Sequence, residues 1–362
     1  MEPGVARFAA RSAAVPAAAV SAARRWRLLA LAGVALGLAP GTFVRSPKPP
    51  ENRSQVLTVE RLAAAPRQFG EFRFLAAWRL TSANSRFGGY SALVVPGEGR
   101  LLAINDAGGM LEMPMPDRPA AAPARIAGFG PRDPDNKAMV DSEAATRDPL
   151  TGMLWVAYES SGMIVRYDRA FLWRGYVFPA EIGRWPKNGG PEGMLRLRDG
   201  RFIVLSERDP KRGVASSPGL LFPGDPVDKA QPAKFTFEPP AGYRPTDLAE
   251  LPDGRVAILL RTWKLGLPVR FPSKLAVADP AEIRAGGVWR AQVVADLFGP
   301  IPSDNYEGIA IDPEPGGGAT VWIVSDDNTA SFQRTLLLKF SWNPGAPTQK
   351  ARGSPARLSA NR

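Results

Sequence analysis

Five times along this chain a polar or acidic residue is followed by a short apolar run, a turn rich in Gly, Asp or Pro, a second apolar run and a polar exit. The units are "GGYSALVVPGEGRLLAINDAG", "DSEAATRDPLTGMLWVAYESSGMIVRYD", "GPEGMLRLRDGRFIVLSERD", "RPTDLAELPDGRVAILLRTW" and "NYEGIAIDPEPGGGATVWIVSDDN". Each reads as a β-hairpin. Aligned on Ser91, Glu143, Glu192, Asp247 and Glu307, they are spaced by 52, 49, 55 and 60 residues. A strand-based period near 50 without helical periodicity is the signature of a β-propeller, so the fold class is all-β. Segments such as "IVRYDRAF", "AKFTFEPP", "KLAVADP" and "LLLKFSW" supply outer strands. Dividing the 295 residues from 51 to 345 by this period predicts six blades. The sixth is expected from "FGEFRFLAAWRLTS", closed by the C-terminal strand Leu336–Trp342.

In such a ring the inner strands converge on a channel, and residues at one phase of every blade meet there. Glu143, Glu192, Asp247 and Glu307 are the candidate ring, with Asp106, Asp141, Glu159, Glu207, Asp326 and Asp327 near it. Three readings stand side by side. The acids accept backbone N–H bonds and fix blade junctions, they hold Ca²⁺ or another hard divalent cation through oxygen, or they act without metal as general acid and base. Arg208 and Arg261 share the exit phase and Arg244 precedes Asp247. They either grip an anionic ester with a bidentate fork or neutralise the acidic ring. "INDAG" and "SDDN" fit turn chemistry better than metal loops. Tryptophans 155, 185, 263, 289 and 322 are expected to pack between blades.

Composition removes other chemistries. The chain has no His and no Cys, so Ser-His-Asp, Cys-His, imidazole or thiolate zinc and phosphohistidine mechanisms are excluded. Gly316–Gly318 is a hairpin tip without a phosphate-loop pattern, and no zinc, haem or nucleotide is expected. The net charge of +11 sits in the tails: residues 51–345 hold 35 Lys/Arg against 34 acids. No basic groove for nucleic acid is implied.

Three domains are expected: 1–45 as leader and linker, 46–345 as the propeller, and 346–362 as a disordered basic tail. Arg24, Arg25 and Arg27 precede an apolar run that, counted from Leu28 to Phe43, is 16 residues long. That is the order of a signal peptide, and it falls short of the roughly 20 residues of a bilayer span. Export is expected, with an uncleaved inner-membrane anchor through residues 24–43 as the alternative.

The pieces "FGGYSAL", "AINDAG", "DSEAAT", "GPEGML…DGRFIVLSER", "YRPTDLAELPDGRVAILLR" and "NYEGIAI" resemble the phytase-like family, "esterase-like activity of phytase", over approximately residues 70–340. Relatives usually show Leu where this chain has Tyr90. The resemblance implies a β-propeller of the bacterial cell envelope and hydrolysis of phosphate or carboxylate esters. Arg208 and Arg261 favour a small anionic ester as substrate. A non-catalytic envelope binding propeller and a calcium-dependent lactonase or esterase are the alternatives.

Overall fold

The computed structural model describes residues 24–33, 50–118, 122–129, 141–186, 189–207, 216–266, 269–299, 301–328 and 333–345. The chain divides into two compact units, Met1–Pro47 and Lys48–Arg362. In the first, residues 24–33 form an exposed helix. No described helix is long and apolar enough to cross a membrane. The rest of the arginine-led run and the 346–362 tail lie outside the described residues.

The second unit is all-β. β1 (Thr58–Arg61), β2 (Arg67–Phe69) and β3 (Phe72–Thr81) come first, then β4 (Tyr90–Gly97), β5 (Arg100–Asn105), β6 (Gly109–Pro114) and β7 (Arg125–Gly128). The next four-strand group is β8 (Ser142–Arg147), β9 (Leu154–Tyr158), β10 (Met163–Tyr167) and β11 (Trp173–Val177). It is followed by β12 (Pro191–Arg196), β13 (Phe202–Ser206), β14 (Ser217–Phe222) and β15 (Ala233–Glu238). Then come β16 (Arg244–Glu250), β17 (Val256–Arg261), β18 (Ser273–Ala278), β19 (Val288–Arg290) and β20 (Gln292–Asp296). β21 (Asn305–Pro313), β22 (Ala319–Asp326) and β23 (Leu336–Trp342) end the unit.

These strands make five sheets, each led by β4, β8, β12, β16 or β21. The leading strands touch in the closed order β4–β8–β12–β16–β21–β4, which defines the ring and its channel. The propeller expectation holds, but there are five blades rather than six. "FGEFRFLAAWRLTS" does form a strand, β3, and it does pair with β23, through partners running from Leu336–Arg79 to Trp342–Phe72. That pairing places β3 in the sheet of β21 and β22 instead of in a blade of its own. The N-terminus therefore supplies the fourth strand of the last blade and ties the ring without a disulfide. The division by 50 overcounted because β1 and β2 only flank β3, and β19 crosses to pair in parallel with β15 of the preceding blade.

One apolar cluster fills each of the five blade interfaces. They bring together Trp322 and Leu111, Leu102 and Val156, Trp155 and Phe202, Ile258 and Trp289, and Leu259 and Phe340. Burying one such side chain contributes about 2–3 kcal/mol, so the interfaces hold the channel walls rigid.

Candidate functional site

Every leading strand carries a β-bulge at the same place, two residues against one partner. The bulged residues are Ser91, Glu143, Glu192, Thr246 and Glu307. A bulge leaves its residue out of the ladder and re-aims the side chain, and five in register aim five side chains at one end of the channel. The next residue is Ala92, Ala144, Gly193, Asp247 or Gly308. A Cβ on Gly308 would stand 2.9 Å from the backbone nitrogen of Leu93 in the adjacent blade, so this phase favours small residues.

Asp247 thus lies one position past the ring, and Thr246 is the true counterpart of the glutamates. The Asp247 carboxylate is 1% exposed and accepts the N–H of Leu248 and, across the blade interface, of Ile309, both at 2.8 Å. Burial raises its proton affinity well above the usual range, against the lowering effect of those two N–H groups. The structure gives this acid the junction-fixing role and keeps it away from the mouth.

The second strands add a second tier: Asp106, Glu159, Glu207, Arg261 and Asp326, directly after or at the ends of β5, β9, β13, β17 and β22. Together the tiers gather seven carboxylates. Glu143 is held well above the ordinary carboxylate range by burial and then by Glu192, Glu307, Glu159 and Asp106. Although partly open to the channel, it is surrounded by protein, so its charge is poorly solvated. Glu192 is raised by burial and by Glu207, Glu159 and Glu307, with Arg261 opposing. Asp326 is raised by burial and Glu307, opposed by the Asn328 N–H at 2.6 Å. Glu159 is raised by burial despite accepting the Gly190 N–H at 3.0 Å.

Arg261 is the cation of the mouth. Burial disfavours its charge, but Glu307, Glu192, Glu207 and Asp326 outweigh that and hold it more firmly protonated than usual. Its Nη1 donates to Glu307 Oε1 and Asn305 Oδ1, both at 2.6 Å. Its Nη2 is 3.6 Å from Glu207, too far for a hydrogen bond. Arg244 pairs with Arg261 across β16–β17 and donates to Glu207 at 3.0 Å. Arg208 lies outside the described residues. Trp155, Trp289 and Trp322 are buried as expected and Trp185 packs on a core cluster. Trp263, by contrast, is 57% exposed and lines a small cavity with Arg244, Arg261 and Glu207. Its place two residues after Arg261, beyond the end of β17, was the signal in the sequence.

For a cation, one oxygen each from Asp141, Glu143 and Glu159 lie within 4.8 Å of one another. Ser160 donates to Asp141 and Gly190 to Glu159, while Glu143 accepts no hydrogen bond among the described residues. An all-oxygen donor set in which burial and neighbouring carboxylates raise the proton affinities of Glu143 and Glu159 fits a hard divalent ion. The "INDAG" and "SDDN" loops carry local turn bonds, from the Gly109 N–H to Asn105 and from the Asn328 N–H to Asp326, and longer-range ones, with Asn105 donating to the Arg86 and Gly88 carbonyls and Asp327 accepting from Gly89.

A closed ring of five sheets with seven carboxylates and a partly buried arginine at one channel mouth defines a five-bladed β-propeller with an acidic polar site. Residues 85–329 match the family model described as "Phytase-like: Esterase-like activity of phytase", more than half of the chain, and the protein belongs to that family. No curated protein matches the sequence. Among solved structures, the Kuenenia stuttgartiensis hydrazine synthase is similar at 13% identity and TM-score 0.35, covering 69% of this chain and 62% of that one, so this chain spans under two thirds of it. The Myxococcus xanthus glutaminyl cyclase is similar at 13% identity and TM-score 0.42, covering 79% and 99%. A streptogramin B lyase is similar at 10% identity and TM-score 0.37, covering 80% and 98%. At these scores none of them bears on the chemistry here.

Proposed function

We propose that the domain hydrolyses a small anionic ester at the acidic mouth, together with a hard divalent cation such as Ca²⁺. The observation that supports this most is the presence of a carboxylate trio, Asp141, Glu143 and Glu159, that would hold the cation, beside a partly buried guanidinium, Arg261, which shares the neighbours Glu192 and Glu307 with Glu143. Among the described residues seven carboxylates face Arg261 and Arg244, a balance that repels an anion, so the substrate charge class calls for added positive charge. When bound, the cation would polarise the ester oxygen and acidify a water.

The remaining work falls to the chain. The Nη2 of Arg261, not hydrogen-bonded to Glu207, turns its N–H groups to a substrate oxygen, with Arg244 beside it. Glu192, whose proton affinity is raised by burial and then by Glu207, Glu159 and Glu307, takes the proton as water forms its bond to phosphorus or carbonyl carbon. It returns that proton to the departing alkoxide when the ester bond breaks. The exposed face of Trp263 flanks the substrate. The arginine-led apolar run before residue 45 supports export to the cell envelope, cleaved or anchored. A second reading, a non-catalytic binding propeller, is favoured by one observation: Arg261 Nη1 is already engaged by Glu307 and Asn305.

The test is hydrolysis of p-nitrophenyl phosphate and p-nitrophenyl acetate by the full chain, with calcium and with chelator. Turnover that needs the cation and falls at least about 10²-fold in Glu192→Gln supports the enzyme. No turnover of any ester with calcium present leaves the binder.

A further inference from the structure

The opposite end of the channel is built differently. Beginning two or three residues past the bulges, about 7–10 Å along the leading strands, and running to their far ends, a cavity of about 290 Å³ is lined by all five of them. Its wall is apolar, with Leu93, Ala145, Leu195, Leu248 and Ile309, and its rim carries Arg147, Arg196 and Arg198. Two acids share that rim and both are engaged. Glu250 accepts the Arg198 backbone N–H at 2.7 Å, and Asp312 pairs with Arg118 at 2.8 Å. The Arg198 guanidinium is turned to the carbonyls of Leu251 and Pro252, and Arg196 reaches Asp148 only at 3.7 Å.

Arg147 is the exception. Its Nη1 donates to the Pro96 carbonyl at 2.5 Å, and it forms no ion pair with any described carboxylate. It also lines a neighbouring cavity of about 350 Å³, where the other charged groups are Glu98, Arg100, Glu112, Asp168 and Arg169. Arg100 pairs with Glu112 and Asp168 with Arg174; Arg169 donates to the carbonyls of Thr151 and Leu150, and Glu98 is the one acid of this lining outside those pairs. Burial, and then Arg169, weaken the hold of Arg147 on its proton, with Asp148 and Glu112 opposing from beyond ion-pair distance. A half-buried guanidinium in contact with no described carboxylate, placed at the lip of an apolar cavity, is a configuration that an anion stabilises.

We infer that this end of the channel is a second ligand site, for a small amphipathic anion: a phosphate or carboxylate head on Arg147, with Arg196 beside it, and a short alkyl body in the apolar wall. The volume, at the lower end of small-molecule pockets, admits one such molecule. The site is independent of the acidic mouth, where the same head group meets carboxylates.

Isothermal titration of the full chain, with chelator present, compares hexyl phosphate, hexanoate, inorganic phosphate and hexanol. At least one amphiphile binds at one site, and phosphate and hexanol each bind at least tenfold more weakly; the better of the two heads identifies the ligand class. Arg147→Met weakens that binding at least tenfold, whereas Arg261→Met at the opposite mouth leaves it within twofold. Arg196→Met, measured in parallel, also weakens binding and decides the matter should Arg147→Met fail to fold. Absence of saturable heat with either amphiphile, or loss in Arg261→Met with retention in the rim variants, overturns the site. Neither outcome touches the ester assay at the mouth.

Discussion

Replacing Asp247 by alanine separates a junction acid from a site acid. The carboxylate accepts two backbone N–H bonds at 2.8 Å in a position 1% exposed to solvent. Its loss strands both donors at roughly 1–3 kcal/mol each. Some of that is offset, because burial already disfavours the ionised carboxyl. The net expectation is about 2–4 kcal/mol of destabilisation, which at a few degrees per kcal/mol lowers the melting midpoint by roughly 5–12 °C in a domain of this size. The assay is a calorimetric melt of the wild-type and Asp247→Ala proteins in chelator and in calcium, beside ester turnover at 25 °C. The midpoint falls equally with and without calcium, and turnover of the folded fraction stays within twofold. A midpoint within 1 °C of wild type together with lost turnover refutes the bulge-phase assignment and returns Asp247 to the mouth.

Protons and calcium compete for the mouth carboxylates. Glu143, Glu192 and Asp326 bind protons more tightly folded than unfolded, so their contribution is complete below the ordinary carboxylate range near pH 4 and is lost as pH rises through the raised values. In chelator the melting midpoint therefore falls as pH rises above the ordinary carboxylate range, and once the carboxylates are ionised calcium at 100 times its Kd restores about 2.7 kcal/mol; a midpoint that rises with pH in chelator contradicts the crowding of charge. Arg261→Met removes the ion pair of Glu307, costs about 3 kcal/mol by thermal melt and weakens anionic esters more than neutral ones; equal loss for both would make the arginine purely structural. Truncation after Gly345 leaves the melt unchanged, whereas truncation after Thr335 removes β23, which pairs with both β22 and β3, and abolishes the cooperative transition. A cooperative melt after that deletion would refute closure through β23.

The repeat was legible because a propeller writes its blades as strand pairs, each bracketed by polar residues at a fixed phase. What the spacing could not convey was allegiance between distant strands. Nothing local in "FGEFRFLAAWRLTS" says that it pairs with Leu336–Trp342 inside the last blade, so the blade count came out one too high. The acids were found for the same reason the blades were. Glu143, Glu192 and Glu307 sit on bulges, and a bulge is invisible to a two-residue period. In "RPTDLAE" the only acid near the junction drew the alignment to Asp247, while the structure puts Thr246 on the bulge and Asp247 in the small-residue phase. Aligning "YSA", "SEA", "PEG", "PTD" and "YEG" on the third residue would have recovered the true register. Trp263 escaped because packing is the ordinary fate of tryptophan, and its exposure follows from lying past the end of β17.

The central claim is that the acidic mouth takes up a divalent cation and hydrolyses an anionic ester with it. Calcium titration of the chelator-treated full chain, followed calorimetrically and with p-nitrophenyl phosphate turnover recorded at each point, tests it directly. Saturable calcium binding that Glu143→Gln weakens, with turnover rising in step with occupancy, is the predicted result. Calcium binding that Glu143→Gln leaves untouched, or full occupancy without turnover of any ester, would contradict it.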